Sequence, residues 1–423
     1  MTTERPRKAL LLGAGFSYDL GMPLASEVTE VFLGMFNAKN AKELGDALAK
    51  QQPYGKDRSI RRDAIHAGLD LLLNYKSEGG ANYEEFLAQL EALPWREHPE
   101  CDSHHYLFSV FYDLLCMILV AYQSHSYRLL YGRNRPWFLQ LPNLLSATTE
   151  TWVFSLNHDL YAECLAIDLG IPVTYGDVEE IAFPISNLLP HSEIRLSCLS
   201  RKQLCKDGIG WFVGRHGINL VRLHGGLCEL DYKDGSLICN PTLTRHNSLE
   251  LMAEFARIES MGYYHQGRRV PSGRERTITG PDGTLDIISR TILTGGNKYS
   301  KTTNMKEGEE KLKVFDDVLR QLDELTIIGF GFGDPHVNYR VSNAMVLNQN
   351  LRIRIVDPAW RRWPEFLQQF DYDERLRSAC CGAAQWMSYI REGKWDEEQT
   401  KALKESASLR TEIRRRVEAG LPR

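Results

Sequence analysis

Apolar and polar positions along the chain fall into two alternating rhythms. Residues 9–12, Ala-Leu-Leu-Leu, form a short apolar run that stops at Gly13-Ala14-Gly15-Phe16-Ser17. Over residues 17–37, Leu20, Leu24, Val28, Val31, Phe32 and Met35 recur at helical steps, and Pro23 suits a first turn. This reads as strand, glycine turn, helix. Runs with strand character return at 151–156, 218–224, 325–330 and 351–357. Helical patterns follow Asp159, span 246–260 and 307–322, and follow Pro335. Strands separated by helices, each strand ending in a polar or glycine-rich turn, predict a parallel α/β sheet. Ligands of such sheets sit beyond the carboxyl ends of the strands.

Residues 38–149 break the alternation and read as mostly helix, with proline-bearing breaks near 94, 136 and 142. The most apolar stretch, 106–122, contains Asp113 and is short for a membrane span, so it reads as a buried helix. Residues 171–217 read as loop-rich, 227–238 as a hairpin around Lys233-Asp234-Gly235, and the Gly-, Pro- and Arg-rich 265–284 as a loop. The tail from 395 is helical and charged. The expected organisation is a catalytic domain over 9–37 and 150–360, a helical insertion over 38–149, and a charged helical segment over 361–423. The apolar run near the N-terminus is too short for a signal peptide.

Composition narrows the classes. With 43% hydrophobic, 10% aromatic and 25% charged residues, the 423-residue chain is neither disordered nor fibrous. Lys+Arg 51 against Asp+Glu 55 gives a net charge of −4, so there is no electrostatic case for direct nucleic-acid or membrane-surface binding. Nine cysteines without C-x-x-C spacing argue against a zinc ribbon and for reduced thiols in a cytoplasmic protein. The motifs H-E-x-x-H, G-K-[ST] and G-x-S-x-G do not occur.

Four motifs stand where strands end. The turn Gly13-Ala14-Gly15-Phe16-Ser17 can bring backbone N–H groups to a phosphate, or serve only as a tight turn. A dehydrogenase fingerprint is incomplete, because Tyr18 stands where its third glycine belongs and no ribose-binding acid follows. Ser155-Leu156-Asn157-His158-Asp159 offers an amide that orients water or a ribose hydroxyl; both Asn and Asp also make good helix caps. His224, in Arg222-Leu223-His224-Gly225-Gly226, is a candidate general base or a satisfied structural histidine. In Gly329-Phe330-Gly331-Phe332-Gly333-Asp334, the glycines permit close backbone approach and Asp334 suits a helix cap or a ribose hydroxyl. Asn297-Lys298-Tyr299-Ser300 reads as a plain loop that could touch phosphate or adenine, and Glu84, Glu85 and Glu91 as a solvated helix face.

In order and spacing, GAGFS…GMP, SLNHD, RLHGG and IIGFGFGDPH resemble the sirtuin family across roughly 9–37 and 150–360. They look closest to the bacterial sirtuin-like proteins of anti-phage defence that work with a HerA-like ATPase. The resemblance implies a Rossmann-like parallel sheet of sirtuin type, carrying here a large helical insertion and no zinc module. It implies NAD as substrate, no metal, and cleavage of the nicotinamide–ribose bond. Carried over by position, Asn157 and His224 would be catalytic. Gly13, Ala14, Gly15 and Ser17 would lie along the dinucleotide, Asp159 near the nicotinamide amide, and Gly329, Gly331 and Asp334 nearer the adenosine half. Deacetylating sirtuins carry a four-Cys zinc module and a Phe-Arg pair after G-[IM]-P; here Pro23 is followed by Leu-Ala-Ser. Both differences speak against deacylation and for hydrolysis of NAD to nicotinamide and ADP-ribose. The alternatives are an NAD- or ADP-ribose-sensing subunit that regulates a partner ATPase, or a deacylase or ADP-ribosyltransferase. A homo-oligomer is expected, with the insertion and the charged tail as candidate interfaces.

Overall fold

The computed structural model describes residues 7–50, 60–92, 98–184, 193–265, 267–270, 272–292, 309–359 and 362–421. Asn297–Ser300 and the side chain of Glu91 lie outside the described residues. The chain opens with β1 (Lys8–Leu12), α1 (Ala14–Tyr18) and α2 (Ala25–Gly34). Helices α3 (Ala38–Leu48), α4 (Arg62–Ser77), α5 (Tyr83–Ala92) and α6 (His98–Ser126) follow. Then come β2 (Glu150–Ser155), α7 (Tyr161–Asp168), β3 (Val173–Thr174), β4 (Gly217–Arg222) and α8 (Ser248–Ser260). The last third holds α9 (Glu309–Leu319), β5 (Glu324–Ile328), α10 (Pro335–Leu347), β6 (Arg352–Val356) and β7 (Leu376–Ala379). Helices α11 (Ala383–Glu392), α12 (Glu397–Glu405) and α13 (Ala407–Gly420) close it.

The seven strands form one parallel sheet in the order β7-β6-β5-β1-β2-β4-β3. The chain builds outward from β1 on one side and later returns to add β5 on the other, so β1 and β5 flank a topological switch point. The apolar run of β1 explains its central place. Alternate side chains leave opposite faces of a strand: Leu10 and Leu12 join one core and Ala9 and Leu11 the other. The fold is therefore a Rossmann-like α/β fold with helices on both faces.

Three expectations need correction. The helical pattern over 17–37 is split, because Gly21 adopts φ +105° and Pro23 follows it; the second helix starts only at Ala25. The stretches read as loops at 171–217 and 265–284 instead supply strands of a second, antiparallel sheet. Its order is Glu275–Thr279, Leu285–Arg290, Leu230–Tyr232, Leu237–Pro241, Glu193–Ser200 and Glu179–Pro184. The predicted hairpin at 227–238 lies within it, turning on the left-handed residues Lys233, Asp234 and Gly235. The parallel sheet also runs past residue 360, since β7 pairs with β6.

The insertion is continuous with the core of one sheet face. Phe32 and Phe36 of the α2 region meet Phe111 of α6 edge to face, and Phe86 of α5 meets it too. Helix α6 with its continuation is the one described helix long and apolar enough to cross a membrane, but Leu107, Phe111, Leu115 and Ile118 are buried in this core. Part of the tail expected as an interface is packed against the body of the protein. Ile413 and Val417 of α13 are fully buried, and α13 packs on α6. Arg410 donates to the carbonyls of Tyr18 and Met22, pairs with Glu27, and lies 3.5 Å over the Tyr18 ring. The described cysteines are free thiols.

Candidate active site

Ser155 and Arg222 are register partners at the carboxyl ends of β2 and β4. Asn157 and His224 each stand two residues past that pair, on adjacent strands about 4.8 Å apart. The turn Leu223 N–H to Ser155 O, 2.8 Å, keeps the two exits together. Both residues are buried.

The Asn157 carboxamide is fixed from one side. Its Nδ2 donates to Gly13 O at 2.9 Å and to Ser17 Oγ at 3.2 Å. That bonds the exit of β2 to the glycine turn after β1. With both amide hydrogens used, Asn157 has Oδ1 left as an acceptor. Asp159 accepts from the Tyr161 N–H at 2.9 Å. Burial pushes its carboxyl up from the ordinary range; the Tyr161 N–H, the Ser17 hydroxyl and the Arg222 charge act against that.

Three residues that sequence reasoning left out hold this turn. Arg222 donates from Nη1 to Asn157 O at 3.0 Å, from Nη2 to Asp159 O at 2.6 Å, and from Nε to Glu163 Oε1 at 3.0 Å. Glu163 also accepts from the Tyr175 hydroxyl at 2.9 Å. Arg222 and Glu163 are 2% and 0% exposed, so this is a buried ion pair. Burial alone would push the Arg222 guanidinium down, but the Glu163 carboxylate holds it above its usual value. An arginine in the strand-like run of residues 218–224 was the available signal, since a charge buried there needs a partner.

The glycines act on each other. Gly13 N donates to Ile328 O and Gly15 N to Gly329 O, both at 2.9 Å. Those two N–H groups are thus bonded to the neighbouring strand exit; the N–H of Ala14 is outside these bonds. Gly329 adopts φ +65°, and a Cβ there would lie 2.4 Å from Gly15 Cα. Gly329→Ala should therefore destabilise the protein by roughly 2–5 kcal/mol, the sum of left-handed strain and overpacking. Gly331→Ala, with nothing within 4 Å of the added carbon, should stay within about 0.5 kcal/mol. Urea unfolding of both variants checks the contrast.

Asp334 caps α10: its Oδ1 accepts from the N–H groups of His336 at 2.8 Å and Val337 at 3.2 Å. Its Oδ2 lies 2.6 Å from His224 Nε2. The structure thus gathers Gly13, Ser17, Asn157, Asp159, His224, Gly329 and Asp334 at one end of the sheet, around the switch point. Gly331 is exposed. The fold elsewhere offers concavities without such chemistry, as between α3 and α4, a space of about 680 Å³ lined by Lys42, Arg62, Asp63 and His66. Among the described residues no group of three or more His, Cys, Asp and Glu side chains is placed to hold a metal ion.

No protein-family model matches the chain. No curated protein sequence matches it either. Solved structures that align with it include "Structure of Sir2Tm bound to a propionylated peptide", at 10% identity and a TM-score of 0.31, covering 92% of this chain and 93% of that one. "The Structural basis for Sirtuin Substrate affinity" aligns at 11% identity and TM-score 0.32, and "Sir2-p53 peptide-NAD+" at 12% and 0.31, with the same coverage. Scores this low carry no argument about this chain, whose fold class rests on its own sheet.

Proposed function

We propose that the protein hydrolyses NAD at the nicotinamide–ribose bond, giving nicotinamide and ADP-ribose. The observation that supports it most is the placement of Asn157 and His224, each two residues past the register pair Ser155 and Arg222, on adjacent strand exits beside the glycine turn at the switch point. Nicotinamide leaves as a neutral pyridine, so strong general-acid help is unnecessary. The demands are an oxocarbenium-like ribose and a timed water. Asn157 is anchored through Nδ2, so its Oδ1 accepts a hydrogen bond from that water and turns a lone pair toward the anomeric carbon. His224 takes the proton as the C–O bond forms, an effect worth roughly 10²–10⁴ in rate. Ser17 and Asp159 flank the nicotinamide end, and the raised carboxyl of Asp159 suits contact with a carboxamide.

The further reading is a cytoplasmic anti-phage effector that depletes NAD, assembled as a homo-oligomer and governed by a HerA-like ATPase. It rests on the motif resemblance alone. With residues 410–417 packed against the body of the protein, the insertion at 38–149 is the remaining candidate interface. Incubating the protein with NAD, alone and with such an ATPase, should release nicotinamide and ADP-ribose in equal amounts. Stoichiometric binding without turnover would transfer the reading to a sensor, and label appearing on a peptide or nucleic acid would transfer it to a transferase.

A further inference from the structure

We infer that Asp334 is the positioning residue for His224, setting which ring nitrogen carries the proton, and is not a contact for the adenosine ribose. The inference rests on the NAD-cleavage reading for its kinetic part only. The two residues are 110 apart in sequence, and their side chains are 7% and 5% exposed. Oδ2 of Asp334 meets Nε2 at 2.6 Å, while Oδ1 is held by the N–H groups of His336 and Val337. The carboxylate is thus fixed by the first turn of a thirteen-residue helix before it touches the imidazole. A carboxylate accepts only, so the ring proton it faces sits on Nε2. On the NAD-cleavage reading Nδ1 would then take the proton from water, and the imidazolium so formed would be stabilised by the same carboxylate. This is the role of the acid in a histidine–acid pair, where the acid orients the imidazole and stays ionised.

The helix cap makes the test directional. In Asp334→Asn the cap requires an acceptor, so the carboxamide oxygen stays with His336 and Val337 and the NH₂ group faces Nε2. The ring must then accept at Nε2 and move its proton to Nδ1, the tautomer that cannot act as base. Asparagine caps as well as aspartate, so the fold should survive. Asp334→Ser keeps a cap and removes the partner altogether.

The experiment uses the whole protein labelled with ¹⁵N-histidine, with the His224 signals identified by their loss in His224→Gln. Two-bond ¹H–¹⁵N correlations should show the Nε2–H form in the wild type, the Nδ1–H form in Asp334→Asn, and a mixture in Asp334→Ser. For NAD cleavage, kcat should fall by roughly 10²–10⁴-fold in both variants, with KM changed by no more than about twofold. An Nδ1–H ring in the wild type overturns the inference, as does a ring unaffected by either substitution. A raised KM with an unchanged kcat assigns Asp334 to ribose binding and overturns it too. Absence of NAD cleavage in the wild type removes the functional reading, while the tautomer measurement still decides the pairing.

Discussion

Replacing His224 with alanine should slow nicotinamide release from NAD by roughly 10²–10⁴-fold, and Asn157→Ala by about 10²–10³-fold. The two losses should not multiply, because one residue orients the water from which the other takes a proton. The double variant is expected near the slower single one. His224→Ala takes the imidazole away from the buried Asp334 Oδ2, so stability is measured beside activity. Asn157 loses its contacts to Gly13 and Ser17, but the turn it sits in stays bonded through its carbonyl to Arg222. Chromatographic assay of nicotinamide, with thermal unfolding as control, separates the outcomes. A variant that keeps wild-type turnover while folded would remove that residue from the mechanism.

The largest effect on stability is expected at Arg222. Arg222→Met leaves the fully buried Glu163 without its counter-charge and takes the donors from the carbonyls of Asn157 and Asp159. Breaking a buried ion pair from one side costs roughly 3–5 kcal/mol, a large share of the stability of an ordinary domain. Adding Glu163→Gln should recover much of that loss, since the amide oxygen still accepts from Tyr175 and no lone charge remains. The double variant should stay poor in NAD cleavage, because the turn carrying Asn157 lacks its clamp. Urea titration of the single and double variants reads the first part, and the nicotinamide assay the second.

Much of this was legible along the chain. Residues 9–12 announce a buried parallel strand by a continuous apolar run, and 151–156, 325–330 and 351–357 by mostly apolar ones; β1, β2, β5 and β6 are found there. Of the second sheet only the hairpin at 227–238 was legible, for a physical reason. Glu275–Thr279 buries alternate positions only, and Glu179–Pro184 fully buries Phe183 alone, so their polar residues look like loop residues. Strand Leu376–Ala379 stands at a sheet edge with two exposed residues and carries little apolar signal. Within the site, the motifs marked which residues face the strand ends but not which face each other. The meeting of Asp334 with His224 spans 110 residues, and that of Arg222 with Glu163 spans 59. No local periodicity encodes either. The glycines were read as room for a ligand, whereas Gly13, Gly15 and Gly329 first make room for one another.

Arg410 reaches back across 392 positions to the carbonyl of Tyr18. A ribosome working at 5–20 residues per second needs about 20–80 s to cover that distance. Throughout that interval the emerging polypeptide has its first glycine turn but not the guanidinium that secures the loop behind it, and β1 waits for β5 as well. Closure of this kind cannot be completed until residue 410 has been synthesised.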